Sequence, residues 1–407
     1  MAKYIDRFSC YIGVDCKMKM PLDDIRILDL THVWFGPWCT MMMADMGAEV
    51  IRVEPPWGAI DRIAEGALFG GASYTFHHLN INKKDLTLNL KDPEGKKIFL
   101  ELVKKSDIVV QNFSPSTMEK LGLGYDVLKG VKPDIIYAAL SGFGQYGPYT
   151  SRRSFASIAE AMSGHTRLTG ERANPEGPPL EIAQAYGDLG PGTMACMAIL
   201  AALRHRDRTG VGQMIDVAQL DCMVAYNTAI TGYLLSGMKP LDIRKKYPRG
   251  RGFGGLFETK DGGWIRINAF GPRAIDRIVQ HMGVDLDDIS QEMIEEKVAD
   301  MTRDEAVKSF NGMGLPCAPV YHVDETIEDP HVNARDMFVE LEHPKAGKIK
   351  LINFPIKFSE TQPELKTPAP LLGQHNKEIL TELMGYDDEK IQVLMKNGVI
   401  SYQTKDV

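Results

Sequence analysis

Short apolar runs rich in β-branched residues alternate with longer segments of helical periodicity through the first half of the chain. The predicted strands cover residues 25–30, 49–54, 106–113, 133–140 and 214–219, and the predicted helices cover residues 38–47, 92–106 and 188–206. Strands that alternate with helices in this way form parallel sheets that helices cover. The pattern therefore predicts an α/β fold built on a parallel sheet.

The character of the sequence changes twice in the second half. Residues 239–255 (KPLDIRKKYPRGRGFGG) are basic and rich in glycine, which is typical of a linker or loop. Residues 256–340 alternate short strands with helices in an α+β pattern, and the segment from about 345 has Pro-rich connections and one final helix at 376–385. The length of 407 residues corresponds to about two to three domains. We therefore expect a large α/β domain and a smaller α+β domain.

Composition and charge argue against several classes of protein. The 47 Lys and Arg residues against 54 Asp and Glu give a net charge of −7, without the basic cluster that nucleic-acid binding requires. The chain contains no run of 18 apolar residues, and charged residues interrupt its first twenty positions, so neither a membrane span nor a signal peptide is predicted. The six cysteines form no CxxC pair. These features favour a cytoplasmic protein that binds neither nucleic acid nor membrane.

Two common kinds of site have weak support. Residues 142–147 (GFGQYG) match the GxGxxG pattern after a predicted strand, but Pro148 follows, and no helix opens there to hold a pyrophosphate. This segment is therefore predicted to be a tight turn, although an NAD-dependent oxidoreductase stays open as an alternative. The ten histidines show no HExxH or other paired ligand spacing, so no metal site is predicted.

Asp188 is the strongest candidate for chemistry. It lies between Gly187 and Leu189-Gly190 at the entry to a strongly apolar helix, where free backbone N–H groups and the helix dipole favour an ionised carboxylate. The simpler interpretation is an N-cap aspartate that stabilises the helix by about 1 kcal/mol. Position alone leaves both interpretations open.

Several long motifs, in a fixed order over about residues 21–400, closely resemble those of the family III (CaiB/BaiF-type) coenzyme A transferases, the group that includes formyl-CoA and carnitine CoA transferases. The motifs are PLDDIRILDLTHVWFGPWCTMMMADMGAEVIRVEPP, LNINKKDLTLNLKDPEGKKIF, SDIVVQNFSPSTMEKLGLGYDVL, SGFGQYGPY, GDLGPGTMACMAILAALRHRDRTGVGQMIDVAQLD, DPHVNARDMF and PLLGQHNKEIL. The resemblance implies that Asp188 is a nucleophile, because the family's catalytic aspartate follows a glycine in the matching motif.

The resemblance also implies a subunit organisation. A Rossmann-like large domain is formed by residues 21–235 and completed by a C-terminal return at 345–407, a small α+β domain occupies 236–344, and residues 1–20 are an N-terminal extension. Two such ring-like subunits are expected to interlock as a homodimer, although some CoA transferases are built from two different subunits. The sequence pattern agrees with the α/β first half and with the changes near 240 and 345.

The implied reaction moves CoA from an acyl-CoA to a free carboxylic acid through an aspartyl mixed anhydride and an aspartyl-CoA thioester. CoA is then a substrate, and no tightly bound cofactor is expected. Three glycines of the loop RGRGFGGLF are expected to cover the aspartate, with backbone N–H groups as oxyanion donors: Gly252, Gly254 and Gly255. The residues expected to contact CoA are His32, Val33, Arg52, Lys83, Asn112, Phe113 and Lys120.

One departure from the superfamily bears on the reaction. Where the related CoA-ester racemases carry a His-Asp pair that moves a proton, this chain has Phe155-Ala156, which cannot exchange protons. Transfer is therefore favoured over the alternative of an acyl-CoA racemase or epimerase. A noncatalytic CoA-binding subunit is a further alternative.

The loop after the first strand bears on the acyl group. Trp34, Phe35 and Trp38 crowd this loop, which predicts an apolar acyl group of at least medium size rather than formate or oxalate. The alternative is that these rings pack the junction between strand and helix. A dicarboxylate such as succinate also remains open, because arginines are available to bind a second carboxylate: Arg152, Arg153, Arg249 and Arg251.

Overall fold

The computed structural model describes residues 20–64, 68–246 and 252–402. Nearly all of the predicted extension at 1–20, and the residues Arg249 and Arg251, therefore lie outside the described residues. The chain divides into two compact units, one formed by Met1–Thr228 with Met337–Val407 and the other by Ala229–Asp336. The boundaries expected from the sequence, at 236 and 345, fall a few residues later.

The elements follow one another along the chain with short connections. The strands are β1 (Arg26–Asp29), β2 (Glu49–Glu54), β3 (Leu68–Phe69), β4 (Ala72–Ser73), β5 (Lys83–Thr87), β6 (Ile108–Gln111), β7 (Ile136–Ser141), β8 (Met214–Ala218), β9 (Gly252–Glu258), β10 (Trp264–Phe270), β11 (Cys317–Pro319), β12 (Phe338–His343) and β13 (Gly347–Ile352). The helices are α1 (Phe35–Asp45), α2 (Tyr74–Leu79), α3 (Pro93–Lys104), α4 (Thr117–Lys120), α5 (Tyr125–Val131), α6 (Ala156–Met162), α7 (His165–Ala173), α8 (Tyr186–Thr209), α9 (Gln219–Tyr226), α10 (Thr228–Ser236), α11 (Pro240–Lys246), α12 (Pro272–Met282), α13 (Gln291–Ala299), α14 (Arg303–Gly312), α15 (Val323–Glu328), α16 (Pro330–Ala334), α17 (Asn376–Met384) and α18 (Asp388–Lys396), with a 3₁₀ turn at Ile60–Arg62.

Six strands of the first unit form one parallel sheet in the order β5-β2-β1-β6-β7-β8. The predicted parallel α/β fold is therefore confirmed, and the sheet is of the Rossmann-like kind. From β1 the chain adds β2 and β5 on one side and then β6, β7 and β8 on the other side. The strand order therefore reverses between β1 and β6. A crevice outside the carboxyl ends of two such strands is the usual ligand site of an open parallel sheet.

Strand β5 was not predicted from the pattern. Its sequence KKDLT begins with three charged residues, yet Lys83 and Asp85 are both buried. Each is paired with an opposite charge inside the unit, Lys83 with Asp29 at 3.0 Å and Asp85 with Arg62 at 3.1 Å. An apolar-run criterion misses such a strand because the burial of its charges depends on partners that are distant in sequence.

Apolar side chains cover both faces of the sheet. Phe35 and Met43 of α1 and Ile199 of α8 belong to the cluster on one face. The cluster on the other face includes Leu380 of α17 and Leu394 of α18, so the C-terminal segment is part of this core. The prediction of a single final helix at 376–385 was wrong, since α18 follows α17 after a short connection.

The second unit contains a three-stranded antiparallel sheet in the order β11-β10-β9. Its core is formed by apolar residues of the sheet and of the helices, among them Ile265, Ile278 and Phe310. A sheet with helices of this kind is the α+β pattern expected for the smaller domain. Within the described parts of both units, no helix has the length and apolar character needed to span a membrane.

Candidate active site

Asp188 lies in the first turn of α8 but does not cap the helix. The N-cap is Ala185, which forms no side-chain cap hydrogen bond, so the interpretation of Asp188 as an N-cap is wrong. Gly187 permits close packing here, because a Cβ on Gly187 would stand 2.5 Å from the carbonyl oxygen of Ala156 in α6. The start of α8 therefore sits against α6, and the Asp188 side chain is only 7% exposed.

Burial decides the charge state of Asp188. Burial raises the pKa of this carboxyl from its ordinary value to about 7, a hydrogen bond from Gln219 opposes the rise, and the nearby Glu160 carboxyl adds to it. Sequence analysis expected free backbone N–H groups and the helix dipole to favour the ionised carboxylate, whereas burial acts in the opposite direction. A carboxyl with a pKa near neutrality in a cleft is a candidate for chemistry.

The immediate polar partners of Asp188 come from two elements beyond its own helix. The side-chain amide of Gln219, the first residue of α9, donates to Asp188 Oδ1. Glu160 in α6 is 3% exposed, and its Oε1 accepts the Gly187 N–H at 2.8 Å. Glu160 therefore fixes the backbone beside Asp188, whereas Gln219 contacts the carboxylate itself.

A cleft of about 100 Å³, named here the Asp188 cleft, opens at the point where the strand order reverses. Its walls come from the loops after β1, β6 and β7 and from α8 and α9. It brings Asp188 and Gln219 together with three residues predicted to contact CoA: His32, Val33 and Asn112. These groups are distant in sequence, and the sheet topology is what assembles them.

Two reciprocal hydrogen bonds join the loops after β1 and β6. The His32 N–H donates to Asn112 Oδ1 at 3.0 Å, and Asn112 Nδ2 donates to the His32 carbonyl oxygen at 2.8 Å. The His32 ring lies 5.8 Å from the Phe113 ring between centroids, and burial lowers the pKa of His32. The floor of the cleft is therefore held by a neutral imidazole and an amide rather than by a cation.

Val33 adopts a backbone conformation that β-branched residues rarely take, with φ of 69°. Its N–H donates to Asp61 Oδ2 at 3.1 Å, and Arg52 donates to both carboxylate oxygens of Asp61 at 2.8 and 3.1 Å. Arg52 is fully buried and also donates to the Thr31 carbonyl oxygen. Such strain persists where surrounding bonds over-determine it, and it is concentrated at functional sites.

The three cations predicted to contact CoA have different environments. Lys83 is buried, and its ammonium donates to Asp29, Thr40 and neighbouring oxygens. Arg52 is similarly occupied within the protein, whereas Lys120 is exposed at the end of α4. Direct contact of these three residues with CoA stays a prediction.

The glycines predicted to cover Asp188 lie in strand β9 of the second unit. Gly254 and Gly255 pair with Asn268 and Ile267 of β10, and Gly252 pairs with Phe270. Their role as a cover with oxyanion donors stays a prediction.

The turn after β7 contains the GFGQYG segment. Gly144 and Gly147 have φ of 83° and 103°, and the next helix begins only at Ala156. A dinucleotide site would need a helix to open directly after the glycines, so this segment lacks the structure that binds a pyrophosphate. Phe155, where a racemase would carry histidine, lines the Asp188 cleft.

The three aromatic side chains that follow β1 have different environments. Phe35 is buried in the core, and the Trp38 indole N–H donates to Thr193 of α8 at 3.0 Å, which is the packing alternative. Trp34 lines the Asp188 cleft and also a larger cavity of about 610 Å³, named here the Trp34 cavity. The wall of that cavity is mainly apolar and includes Trp38, Met41, Met42, Leu189, Leu351 and Phe354.

Sequence analysis did not identify Gln219 or Glu160. Gln219 ends the predicted strand MIDVAQ and Glu160 lies in an unremarked helix, so no local pattern marked either residue. Across the described ranges, no group of three or more His, Cys, Asp or Glu side chains is arranged to hold a metal ion.

Comparison with known proteins gives the family. The family model "CoA-transferase family III" matches residues 22–376. The chain is 34% identical to succinyl-CoA–D-citramalate CoA-transferase of Chloroflexus aurantiacus, over 93% of this chain and 98% of that protein. It is 34% identical to mouse succinyl-CoA:glutarate CoA-transferase, with coverage of 96% and 93%, and 33% identical to formyl-CoA:oxalate CoA-transferase of Streptomyces avermitilis, with coverage of 94% and 100%.

Solved structures support the same family assignment. A CaiB/BaiF family protein from Brucella suis superposes with a TM-score of 0.76 at 28% identity, over 89% of this chain and 99% of that one. A protein from Mycobacterium tuberculosis superposes with a TM-score of 0.74 at 29% identity, over 88% and 98%. The chain therefore belongs to CoA-transferase family III and is an enzyme of the CoA-transferase class.

Proposed function

We propose that this enzyme moves CoA from an acyl-CoA to a free carboxylic acid, with Asp188 as a covalent nucleophile. The observation that carries the proposal is the position of Asp188: a buried carboxyl with a raised pKa, facing the cleft where the strand order reverses. Within the described ranges no lysine or arginine forms an ion pair with it. A carboxylate that is neither solvated nor paired is a reactive nucleophile once it is ionised.

The proposed reaction has two halves that mirror each other. Asp188 Oδ2 attacks the acyl carbon of the thioester, the carbon–sulfur bond breaks, and CoA thiolate leaves a mixed anhydride on Asp188. The thiolate then attacks Asp188 Cγ, the Cγ–Oδ2 bond breaks, and the donor acid departs from an aspartyl-CoA thioester. The acceptor carboxylate attacks the same carbon, and the steps run in reverse.

The predicted CoA contacts divide into three groups in this proposal. His32, Val33 and Asn112 line the cleft, which supports direct contact with the thioester end of CoA. Phe113 lies beside His32, and the exposed charge of Lys120 at the end of α4 suits a phosphate of CoA. Arg52 would act from within, because it binds the Thr31 carbonyl oxygen and Asp61, which hold the loop that carries Val33. Lys83 would act from within by binding the Pro37 carbonyl oxygen in the first turn of α1.

The substrates are proposed from the relatives and the cavity together. Five relatives have names that begin with succinyl-CoA, which supports succinyl-CoA as the donor. The Trp34 cavity, with its mainly apolar wall, supports an acceptor acid with an apolar body rather than formate or oxalate. The cavity of about 610 Å³ has the size of ordinary small-molecule pockets.

Trapping of the covalent intermediate tests the proposal. After incubation with succinyl-CoA, hydroxylamine or borohydride should modify the peptide that contains residue 188, and mass spectrometry identifies the site. Modification found only elsewhere would contradict the nucleophile. A screen of acyl-CoA donors against free acids tests the substrates, and a higher kcat/KM for formate and oxalate than for acids of four or more carbons would contradict the apolar acceptor.

We further propose a homodimer. Helix α10 leaves Leu234 and Leu235 exposed at 76% and 84%, and large exposed apolar side chains are typical of interfaces. Light scattering should give twice the subunit mass, and a stable, active monomer would contradict this state.

A further inference from the structure

Gln219 has no role in the reaction as proposed so far. Among the described residues, however, its side chain is hydrogen-bonded to the reacting carboxyl. It is the first residue of α9, only 4% exposed, and its side chain lines the Asp188 cleft. Its amide donates to Asp188 Oδ1. The described residues contribute no hydrogen bond to Oδ2, so one carboxylate oxygen is held and the other is left to form a bond.

We propose that Gln219 is a catalytic residue that stabilises the oxyanion formed on Asp188 Oδ1 during transfer of CoA to and from this residue. This inference rests on the proposed covalent function. It adds an oxyanion donor from the first unit, independent of the glycines predicted to cover the site.

The electron balance places the charge on the oxygen that Gln219 contacts. When the CoA thiolate attacks Asp188 Cγ in the mixed anhydride, the sulfur–carbon bond forms and the carbonyl electron pair moves onto Oδ1. The pair returns as the Cγ–Oδ2 bond breaks and the donor carboxylate leaves with Oδ2. The reverse attack by the acceptor carboxylate places a charge on the same Oδ1, with CoA thiolate as the leaving group. An N–H already aimed at that atom needs no rearrangement.

An amide suits this position better than a cation would. A lysine or arginine would hold Asp188 ionised at all ordinary pH values and would weaken it as a nucleophile. The Gln219 amide is neutral, so it lowers the pKa of Asp188 only partly against burial. The hydrogen bond from Gln219 can be retained throughout the reaction, because Oδ1 remains an acceptor in the carboxylate, the anhydride and the thioester.

Two roles of Gln219 predict different pH profiles. If Gln219 only adjusts the pKa of Asp188, Gln219→Met shifts the profile of thioester formation to higher pH but leaves the high-pH plateau at the wild-type level. If Gln219 is an oxyanion donor, the plateau itself falls by about 10²- to 10³-fold. The rate of aspartyl-CoA formation is measured by rapid quench and mass spectrometry of the peptide containing residue 188, between pH 6 and 9.

Two further variants make the result specific. Gln219→Glu keeps the shape but replaces the donor by an acceptor once it is ionised, so its rate should fall as the pH rises, opposite to the wild type. Gln213→Met is the matched control, since Gln213 is an exposed glutamine just before β8, and its profile should equal that of the wild type. Circular dichroism and CoA titration verify that each variant is folded and binds CoA.

The outcomes separate this role from the proposed function. A wild-type enzyme that forms no adduct at residue 188 contradicts the covalent function and, with it, the role of Gln219. A wild-type adduct together with a full high-pH plateau in Gln219→Met overturns the oxyanion role alone. A lowered plateau in Gln219→Met, with a falling rate at high pH in Gln219→Glu, supports it.

Discussion

Two buried polar regions of the first unit differ in how their charges are compensated. Around β1, β2 and β5, Lys83 is bonded to Asp29, and Arg52 to Asp61. Burial alone would raise the pKa of Asp29, but Lys83 and Arg52 outweigh it, and the pKa lies below its ordinary value. At the start of α8, burial acts on Asp188 without a paired cation, and its pKa rises to about 7.

Burial of polar groups stabilises the fold around β1, β2 and β5, whereas at the start of α8 it prepares a carboxyl for chemistry. Paired charges remain ionised and hold strands and loops in register, so the region around Arg52 fixes the strained Val33 beside the cleft. Burial of a carboxyl without a paired cation makes no such structural contact and lowers the stability of the folded protein. Sites that carry this kind of cost are typical of functional residues.

The largest expected effect comes from the carboxyl itself. Asp188→Asn should reduce transfer by about 10³-fold or more, because it removes the nucleophile. The asparagine keeps an oxygen for Gln219, so CoA affinity should stay close to that of the wild type. Steady-state kinetics and calorimetric titration with CoA measure the two effects. Near-wild-type turnover would refute the nucleophile.

Removal of one partner from the charge pairs around β1, β2 and β5 should instead lower the free energy of unfolding. Arg52→Met leaves Asp61 buried without its cation, and such a loss typically costs about 3–5 kcal/mol of stability. Urea unfolding measures it. Lys104→Met is the control, because Lys104 pairs with Glu101 on the surface, and its midpoint should barely change. Equal midpoints for both variants would show that the buried pairs are not structural.

The raised pKa of Asp188 predicts a pH dependence both for activity and for stability. Only ionised Asp188 attacks, so kcat/KM should rise about tenfold per pH unit below pH 7 and level off above it. The raised pKa also means that the folded state loses stability relative to the unfolded chain as pH rises from about 4 to 7. Asp188→Asn should therefore melt a few degrees higher than the wild type at pH 8, but not at pH 4. Thermal melts at both values check this expectation.

The smallest expected effect concerns the acyl group. Trp34→Ala should lower kcat/KM for apolar acids by roughly tenfold, since one aromatic wall of the Trp34 cavity is lost. Values for formate and oxalate should change little. Trp57→Ala is the control, because Trp57 is 70% exposed. An equal loss for small and large acids would show that Trp34 serves the fold rather than selectivity.

Local pattern predicted most of the sheet and much less of the site. Strands such as β6 and β7 are apolar runs, so their burial could be inferred from the residues themselves. Strand β5 could not, because Lys83 and Asp85 are buried only through partners on other elements. Gln219 was missed for the same reason, since its importance comes from contact with Asp188, 31 positions away in the chain.

The sequence by itself determined the α/β architecture, the family resemblance and the choice of Asp188, because these depend on periodicity and on motifs that are contiguous in the chain. Tertiary structure decided the charge state of Asp188, its pairing with Gln219, and the internal use of Arg52 and Lys83. These properties depend on desolvation and on distances between side chains from different elements, and the folded sheet sets both.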